Sequence, residues 1–313
     1  MVTSGLFLRI TQSTFFGTAL NNKGVIYTGN MLYNPDLKIN QRGKTVYSEA
    51  GYCTDRWKLT DGFKLTLNGS SAILAPVREV MTGVTALYQD ICSETGCNIV
   101  SGKEISMSAY AASVNGFSLH LKILDATMTT ELLDTKLIKE SDGVYRGKAV
   151  IPDNGVVVRA AVCAESGADI SDSMTIELIS VVYGQATGFI SPDHEEELRR
   201  CQRFYWDSGK GVYGAPGAYS LTPGNQVSTG DGYRSGFVNI RFPCKMRAVP
   251  SISIVAYDGT KESVSDWAGG TLLCSGVIVN PATLNDSGFT DIKIPGSSAL
   301  SVAGFHVIAD AEF

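Results

Sequence analysis

Histidine, the side chain best suited to proton transfer near neutral pH, is scarce in this chain. His120, His194 and His306 are its three copies in 313 residues, too few and too dispersed for most metal centres or nucleophilic triads. His194-Glu195-Glu196 opens like the zinc-protease HExxH pattern, but Leu198 stands where the second histidine ligand belongs, so the segment reads as the first turn of a helix. Cys92 and Cys97 have no matching Cys or His pair elsewhere, and the seven cysteines are odd in number and scattered. They read as small buried hydrophobes rather than zinc ligands or a disulfide framework. The chain carries neither a Walker loop nor a GxSxG elbow, and Gly209-Lys210-Gly211 and Gly214 to Gly217 are turn chemistry. Asp169 and Asp172 lie close enough to join a calcium site, with a solvated turn as the competing reading. Carboxylate pairs for glycoside cleavage are defined by three-dimensional geometry and cannot be picked from 31 acidic residues. No catalytic, cofactor-binding or metal-ligating residue is therefore assigned, no cofactor is expected, and the expectation is a protein that is not an enzyme.

Aromatic side chains on loops offer a different chemistry. Flat rings stack on pyranose faces while amides and hydroxyls satisfy the sugar hydroxyls. Trp206, Tyr213, Tyr219, Tyr233 and Trp267 fall in or beside Gly-rich stretches of the carboxyl-terminal third and are candidate glycan contacts. Trp267, within Ser265-Asp266-Trp267-Ala268-Gly269-Gly270, has the most loop-like surroundings. The alternative for Tyr205 and Trp206 is that they pack a helix against a sheet.

The elements that must position these rings are strands. Phe117, Leu119, Leu121 and Ile123 alternate with Ser118, His120 and Lys122; Ile105–Ala109, Met174–Leu178 and Lys64–Leu67 repeat the period of two. Val156–Ala161, broken only by Arg159, is compatible with a strand buried on both faces. Asn68-Gly69, Asn115-Gly116, Asp142-Gly143 and Asn154-Gly155 punctuate the series. One segment departs: Ser191-Pro192-Asp193 followed by Glu195, Glu196 and Glu197, with Arg199, Arg200 and Arg203 beyond, predicts a helix of about three turns, capped by Ser191 and ending near Trp206. Asp207 to Asp231 reads as a loop. Strands are then expected at 238–242, 251–257, 271–279, 289–294 and 304–313. The fold class is all-β: a docking arm over 1–29, a jelly-roll or galactose-binding-like β-sandwich over 30–190, a linker helix over 191–206, and a second β-sandwich over 207–313.

A charged fraction of 18% and a net charge of -5 argue against nucleic acid as a partner. No apolar run approaches the roughly 18 residues needed to insert in a bilayer. Met1 to Leu20 lacks a secretory signal pattern, because Arg9, Gln12, Ser13 and Thr14 interrupt it. The expectation is synthesis in a cytosol, with retention there or release by lysis.

Four motifs occur in a fixed order. Asn30-Met31-Leu32-Tyr33-Asn34-Pro35-Asp36 leads into Asn40-Gln41-Arg42-Gly43 and then Tyr52 to Asp55-Arg56-Trp57. Ile176-Glu177-Leu178 and Gly184-Gln185-Ala186-Thr187-Gly188-Phe189 precede Glu196-Glu197-Leu198 and Cys201-Gln202-Arg203-Phe204-Tyr205. Phe242 to Ser251 follows, and the chain closes on Ala309-Asp310-Ala311-Glu312-Phe313. Over residues 30 to 313 this order resembles the distal portion of bacteriophage tail fibres and related virion receptor-binding proteins. It departs from them where Ile179–Tyr183 extends past Leu178, and residues 1–29 match nothing in that pattern.

The resemblance implies a non-enzymatic virion subunit, a homotrimer that contacts bacterial surface polysaccharide and docks on other phage virion proteins. Residues 1–29, with Phe7, Leu8, Phe15, Phe16 and Leu20, would be the docking segment, since those side chains need burial against partners. The alternative is a head fibre, decoration or baseplate protein with no receptor of its own, and a polysaccharide depolymerase is a third reading.

Overall fold

The computed structural model describes residues 29–78, 84–93, 97–112, 114–165, 167–185, 192–209, 218–229, 232–267, 271–296 and 300–312, together with the backbone of 19–21 and 24–26. Phe7, Leu8, Phe15 and Phe16, expected to dock on the virion, lie outside the described residues, as does Tyr213. Leu20 belongs to a hairpin of β1 (Ala19–Asn21) and β2 (Gly24–Ile26). The chain divides into two units, residues 44–192 with the described part of 1–38, and residues 193–313 with Ile39–Gly43. Among the described residues no helix is long and apolar enough to cross a membrane.

The first unit holds β3 (Val46–Tyr47), β4 (Gly51–Tyr52), β5 (Lys58–Leu59), β6 (Phe63–Leu67), β7 (Ala72–Pro76), β8 (Thr85–Ile91), β9 (Glu104–Ala112), β10 (Phe117–Leu124), β11 (Glu131–Lys136), β12 (Ile138–Lys139), β13 (Tyr145–Val150), β14 (Val157–Ala164) and β15 (Met174–Tyr183). They form a six-stranded sheet, order β11-β10-β14-β8-β5-β4, and a seven-stranded sheet, order β12-β13-β9-β15-β7-β6-β3, with antiparallel pairing throughout. One core joins them into a sandwich: Leu119, Leu121, Ile123, Val158 and Val162 of the first sheet meet Ile105, Met107, Ile179 and Val181 of the second. The expected alternation sends one set of side chains of these strands into that core and the other to the opposite face, but that face of β10 is not wet as expected, since Ser118 and Lys122 are buried as well. β14 is buried on both faces, as Val156–Ala161 suggested: Val158 and Ala160 enter the core, Val157 and Ala161 on the opposite face are each 1% exposed, and Arg159 is half-buried there against Asp90.

Two parts of the first motif, Asn30–Asp36 and Tyr52–Trp57, lie within this sandwich and interlock, while Asn40–Gly43 belongs to the second unit. Asn30 Nδ2 donates to Ile179 O at 3.1 Å, and Asn30 Oδ1 accepts from Val181 N at 3.0 Å. Asn34 Nδ2 donates to Thr54 Oγ1 and Asp55 O at 3.0 and 3.1 Å, and the Trp57 indole donates to Asn34 O at 2.8 Å. Asp55 and Trp57 are fully buried. These two parts thus form a polar lock on a buried ring.

The second unit begins with α1 (His194–Gln202). Asp193 caps it, accepting from Glu195 N and Glu196 N at 3.1 and 3.0 Å. This corrects the expected cap at Ser191, which is outside the described residues, and the expected end near Trp206. Tyr205–Asp207 instead forms β16, because pairing with the last strand outweighs helical continuation. The rest are β17 (Tyr219–Leu221), β18 (Gln226–Ser228), β19 (Tyr233–Arg241), β20 (Ser251–Val255), β21 (Ser263–Asp266), β22 (Leu272–Ser275), β23 (Ile278–Val279), β24 (Gly288–Pro295) and β25 (Ala303–Asp310). The stretch expected as a loop from Asp207 to Asp231 thus contains β17 and β18, and Ser265-Asp266 belongs to β21. One sheet is organised around β25, which pairs with β16, β17, β20 and β21. The other runs β18-β19-β24-β23. Phe305, Val307 and Ala309 of the first face Phe289, Ile292 and Ile294 of the second in one core.

His306, on β25, is buried with no hydrogen-bond partner for Nδ1 among the described residues. Burial pushes its pKa below the usual histidine range, and the Asp207 carboxylate opposes this only in part. The folded state therefore keeps the imidazole neutral, while the unfolded chain protonates it near pH ~6.5. Below that pH the unfolded state binds the extra proton, so this residue's contribution to stability falls as pH drops. The expected result is that the second unit loses more denaturant resistance between pH 7 and pH 5 in the wild type than in His306→Gln. Equal losses would place the pH sensitivity elsewhere.

Candidate functional site

The densest convergence of polar and aromatic side chains lies on the outer face of the six-stranded sheet. Cross-strand register places Tyr52, Lys58, Tyr88, Ala161, His120 and Lys136 in a single file, one residue from each strand. Beside it runs a charged file of Asp90, Arg159, Lys122 and Asp134. Directly opposed residues of an antiparallel pair share a face, so both files stand outward.

The side chains hold one another in place. Arg159 grips Asp90 with two parallel bonds, Nε to Oδ1 at 2.6 Å and Nη2 to Oδ2 at 3.0 Å, and its guanidinium carbon lies 4.3 Å from the Tyr88 ring centroid. Lys122 Nζ donates to Glu131 Oε2 at 2.8 Å and sits 3.3 Å from Asp134 Oδ2. Lys58 Nζ lies 4.7 Å from the Tyr52 ring centroid, and Lys136 pairs with Glu165. Burial alone would lower the pKa of Lys122; the Glu131 bond and nearby carboxylates outweigh it and hold the pKa above the usual lysine range. Burial, reinforced by Asp90, pushes the Tyr88 hydroxyl up. The face thus presents a protonated phenol and fixed charges, preorganised donors and acceptors beside flat rings.

His120 holds a position that its scarcity in the sequence did not suggest. Its Nδ1 is 2.7 Å from Asp134 Oδ1 and its Nε2 is 2.9 Å from Ser118 Oγ, the connectivity of a hydrolase triad. This corrects the expectation that the histidines are too dispersed for such an arrangement: Ser118 and His120 are two apart on β10, and β11 brings Asp134 alongside. Acyl transfer also needs donors aimed at a developing oxyanion. The N–H groups of β10 lie in the plane of the sheet, directed at neighbouring strands, whereas Ser118 Oγ stands off that plane. The chain of bonds orients the imidazole.

The aromatic candidates of the second unit are spread over several elements. Trp206 is 8% exposed and packs edge-on against Phe242 at 5.6 Å between centroids. This corrects its candidacy as a glycan contact, since both faces of the ring belong to the core. Tyr219 is half-buried against Phe305 at 5.9 Å. Tyr233 is half-buried on β19, opposite Pro295. Trp267, just beyond β21, is half-buried 6.3 Å from the Tyr257 ring, with its backbone N–H on Val302 O at 2.9 Å. The structure therefore joins Trp267 to Tyr257.

A recess of about 610 Å³ on the seven-stranded sheet of the first unit involves Glu104, Glu140, Asp142, Arg146 and Lys148. Its cations are paired, as are Arg159, Lys122 and Lys136 of the six-stranded face: Arg146 with Glu140 and Asp142, and Lys148 with Glu104. It has volume but offers no ring, and ranks behind the six-stranded face as a site. Among the described residues no group of three or more His, Cys, Asp or Glu side chains is arranged to hold a metal ion.

No family model matches the chain, and no curated protein does. Among solved structures, the chain is similar to the CBM22-1 xylan-binding domain of Paenibacillus barcinonensis Xyn10C, at 10% identity and TM-score 0.32, over 51% of this chain and 97% of that one. The tandem CBM22-1–CBM22-2 domain of the same protein aligns at 11% identity and TM-score 0.30, over 86% of this chain and 97% of that one. The enzymatically active domain of bacteriophage CBA120 tailspike protein 4 aligns at 13% identity and TM-score 0.31, over 50% of this chain but only 21% of the tailspike chain. Likenesses of this size do not discriminate between functions.

Proposed function

We propose that this protein binds glycans through the outer face of the six-stranded sheet, without cleaving them, as the receptor-contacting subunit of a bacteriophage virion fibre. The observation that carries the binding site is the pairing of two files, one presenting Tyr88 and His120 around the small Ala161, the other presenting Asp90, Arg159, Lys122 and Asp134. Rings supply stacking faces, and the charged groups supply hydrogen bonds in fixed geometry. The virion setting is supported by the order of motifs over residues 30 to 313. A fibre presenting several copies would multiply weak single sites through effective concentration.

The test uses the purified full-length chain on affinity gels cast with bacterial capsular and O-polysaccharides. The wild type should be retarded by at least one of them. Tyr88→Ala and Arg159→Ala should each weaken retention about tenfold or more, or ~1.4 kcal/mol, with unchanged thermal unfolding. Trp267→Ala should bind as wild type; loss there with Tyr88→Ala unaffected would move the site to the second unit. Labelling of Ser118 by a fluorophosphonate, or new reducing ends in the polysaccharide, would overturn the non-catalytic part.

A further inference from the structure

The register of the six-stranded sheet bears on the shape of the ligand as well as its chemistry. In the file Tyr52–Lys58–Tyr88–Ala161–His120–Lys136, planar rings occur on β4, β8 and β10, that is, on every second strand of the order β4-β5-β8-β14-β10-β11. Neighbouring strands are ~4.8 Å apart, so successive rings recur at ~10 Å and the file spans ~24 Å. One strand interval is close to the length of one pyranose in a linear chain, so two intervals match a disaccharide repeat. The residues between the rings fit this spacing. Ala161, between Tyr88 and His120, carries only a methyl group and is 1% exposed, and Lys58 lies over the Tyr52 ring with Nζ 4.7 Å from its centroid.

The charged file runs parallel to the first, so its donors and acceptors would meet the hydroxyls along one edge of such a chain. Charge on this face balances: Lys58, Lys122, Lys136 and Arg159 stand with Asp90, Glu131, Asp134 and Glu165. Nothing there selects a strongly anionic polymer.

We infer that the site takes an internal stretch of a neutral, linear polysaccharide, laid across the strands over about five sugar units, with Tyr52, Tyr88 and His120 beneath every second unit. This rests on the glycan-binding reading above and adds the ligand's form: chain interior, not chain end. A pocket for a terminal sugar would close around one ring; here three rings recur in a line from the edge strand β4 to β10.

Calorimetric titration with the retained polysaccharide, and with its partial-hydrolysis fragments sized from one to eight units, tests this. Affinity should rise with each added unit and level off at five or six, with the hexamer at least tenfold tighter than the dimer. Tyr52→Ala, at the far end of the file, should move the plateau to three or four units, whereas Tyr88→Ala, near its middle, should weaken every length. Ala161→Phe should block the long fragments. A monosaccharide or dimer that binds as tightly as the polymer, or a Tyr52→Ala protein with an unchanged plateau, overturns this inference and leaves glycan binding standing. Absence of binding to any polysaccharide or fragment overturns both.

Discussion

Trp57→Ala should leave the first unit largely unfolded under conditions where the wild-type unit is folded. Trp57 is fully buried in the core between the two sheets. Removing so large a ring costs about 3–5 kcal/mol through lost transfer energy and the cavity left behind. The indole N–H also satisfies Asn34 O at 2.8 Å, in the strand-free stretch that Asn34 ties to Thr54 and Asp55. Leu37 N still donates to that carbonyl at 3.1 Å, so losing the indole bond adds about 1 kcal/mol. A typical domain has only about 5–15 kcal/mol to lose. Trp57→Phe keeps most of the volume and loses the donor, so it should fall between the two. Denaturant unfolding, with hydrogen exchange read over residues 44–185, measures the order. If Trp57→Ala costs no more than Trp57→Phe, the ring is not the keystone of this core.

Arg42→Ala should destabilise the second unit, although residue 42 precedes every strand of the first sandwich. Arg42 forms an ion pair with Glu312, whose side chain is 1% exposed, and its guanidinium lies 3.9 Å from the Tyr205 ring centroid. Gln41 Nε2 adds a bond to Tyr205 O at 2.7 Å. Removing one partner of a buried pair leaves the other charged and unsolvated, at a cost of about 3–5 kcal/mol. Faster hydrogen exchange is expected across 194–312. Glu312→Gln in the Arg42→Ala background should recover part of the loss, because the stranded charge is gone, and the resulting double-mutant cycle gives the coupling. Unchanged exchange in 194–312 would mean that the pair is incidental.

These two predictions also give the motif pattern a physical meaning. Asn30–Asp36 and Tyr52–Trp57 meet in the first unit, while Asn40–Gly43, Cys201–Tyr205, Met246–Pro250 and Ala309–Glu312 meet in the second. There Arg247 N donates to Arg203 O at 2.8 Å and Ala311 N to Phe204 O at 2.7 Å. The motifs mark places where distant segments satisfy one another's buried polar groups. None of their residues forms the two files on the six-stranded sheet apart from Tyr52, so the pattern points to folding rather than to ligand binding.

Local order was readable from residue order wherever one face of an element is dry and the other wet. Phe117–Ile123 declares itself a strand because period-two alternation is a property of neighbouring residues alone, but the burial of Ser118 and Lys122 on its other face does not follow from it. The helix start was readable to within two residues from its acidic first turn, but its end was not, because the competing strand partner for Tyr205–Asp207 lies at Ala309, a hundred residues away. Arg159 showed as a break in an apolar run read as buried on both faces, but its partner Asp90 on β8 did not. Tyr88 gave no such signal, and Trp206, the more conspicuous ring, is core.

The amino-acid order alone therefore determined the all-β class, the inward and outward face of each long strand, and the existence of a short, dipole-matched helix, since each follows from interactions within a few residues. Which outward residues became neighbours was decided only by the tertiary structure. Tyr88, Ala161 and His120 stand in one line because β8, β14 and β10 are adjacent in a sheet whose strand order is not the chain order. Such adjacency is set by how two whole sheets share one core, a balance of burial over the entire unit that no window of sequence contains.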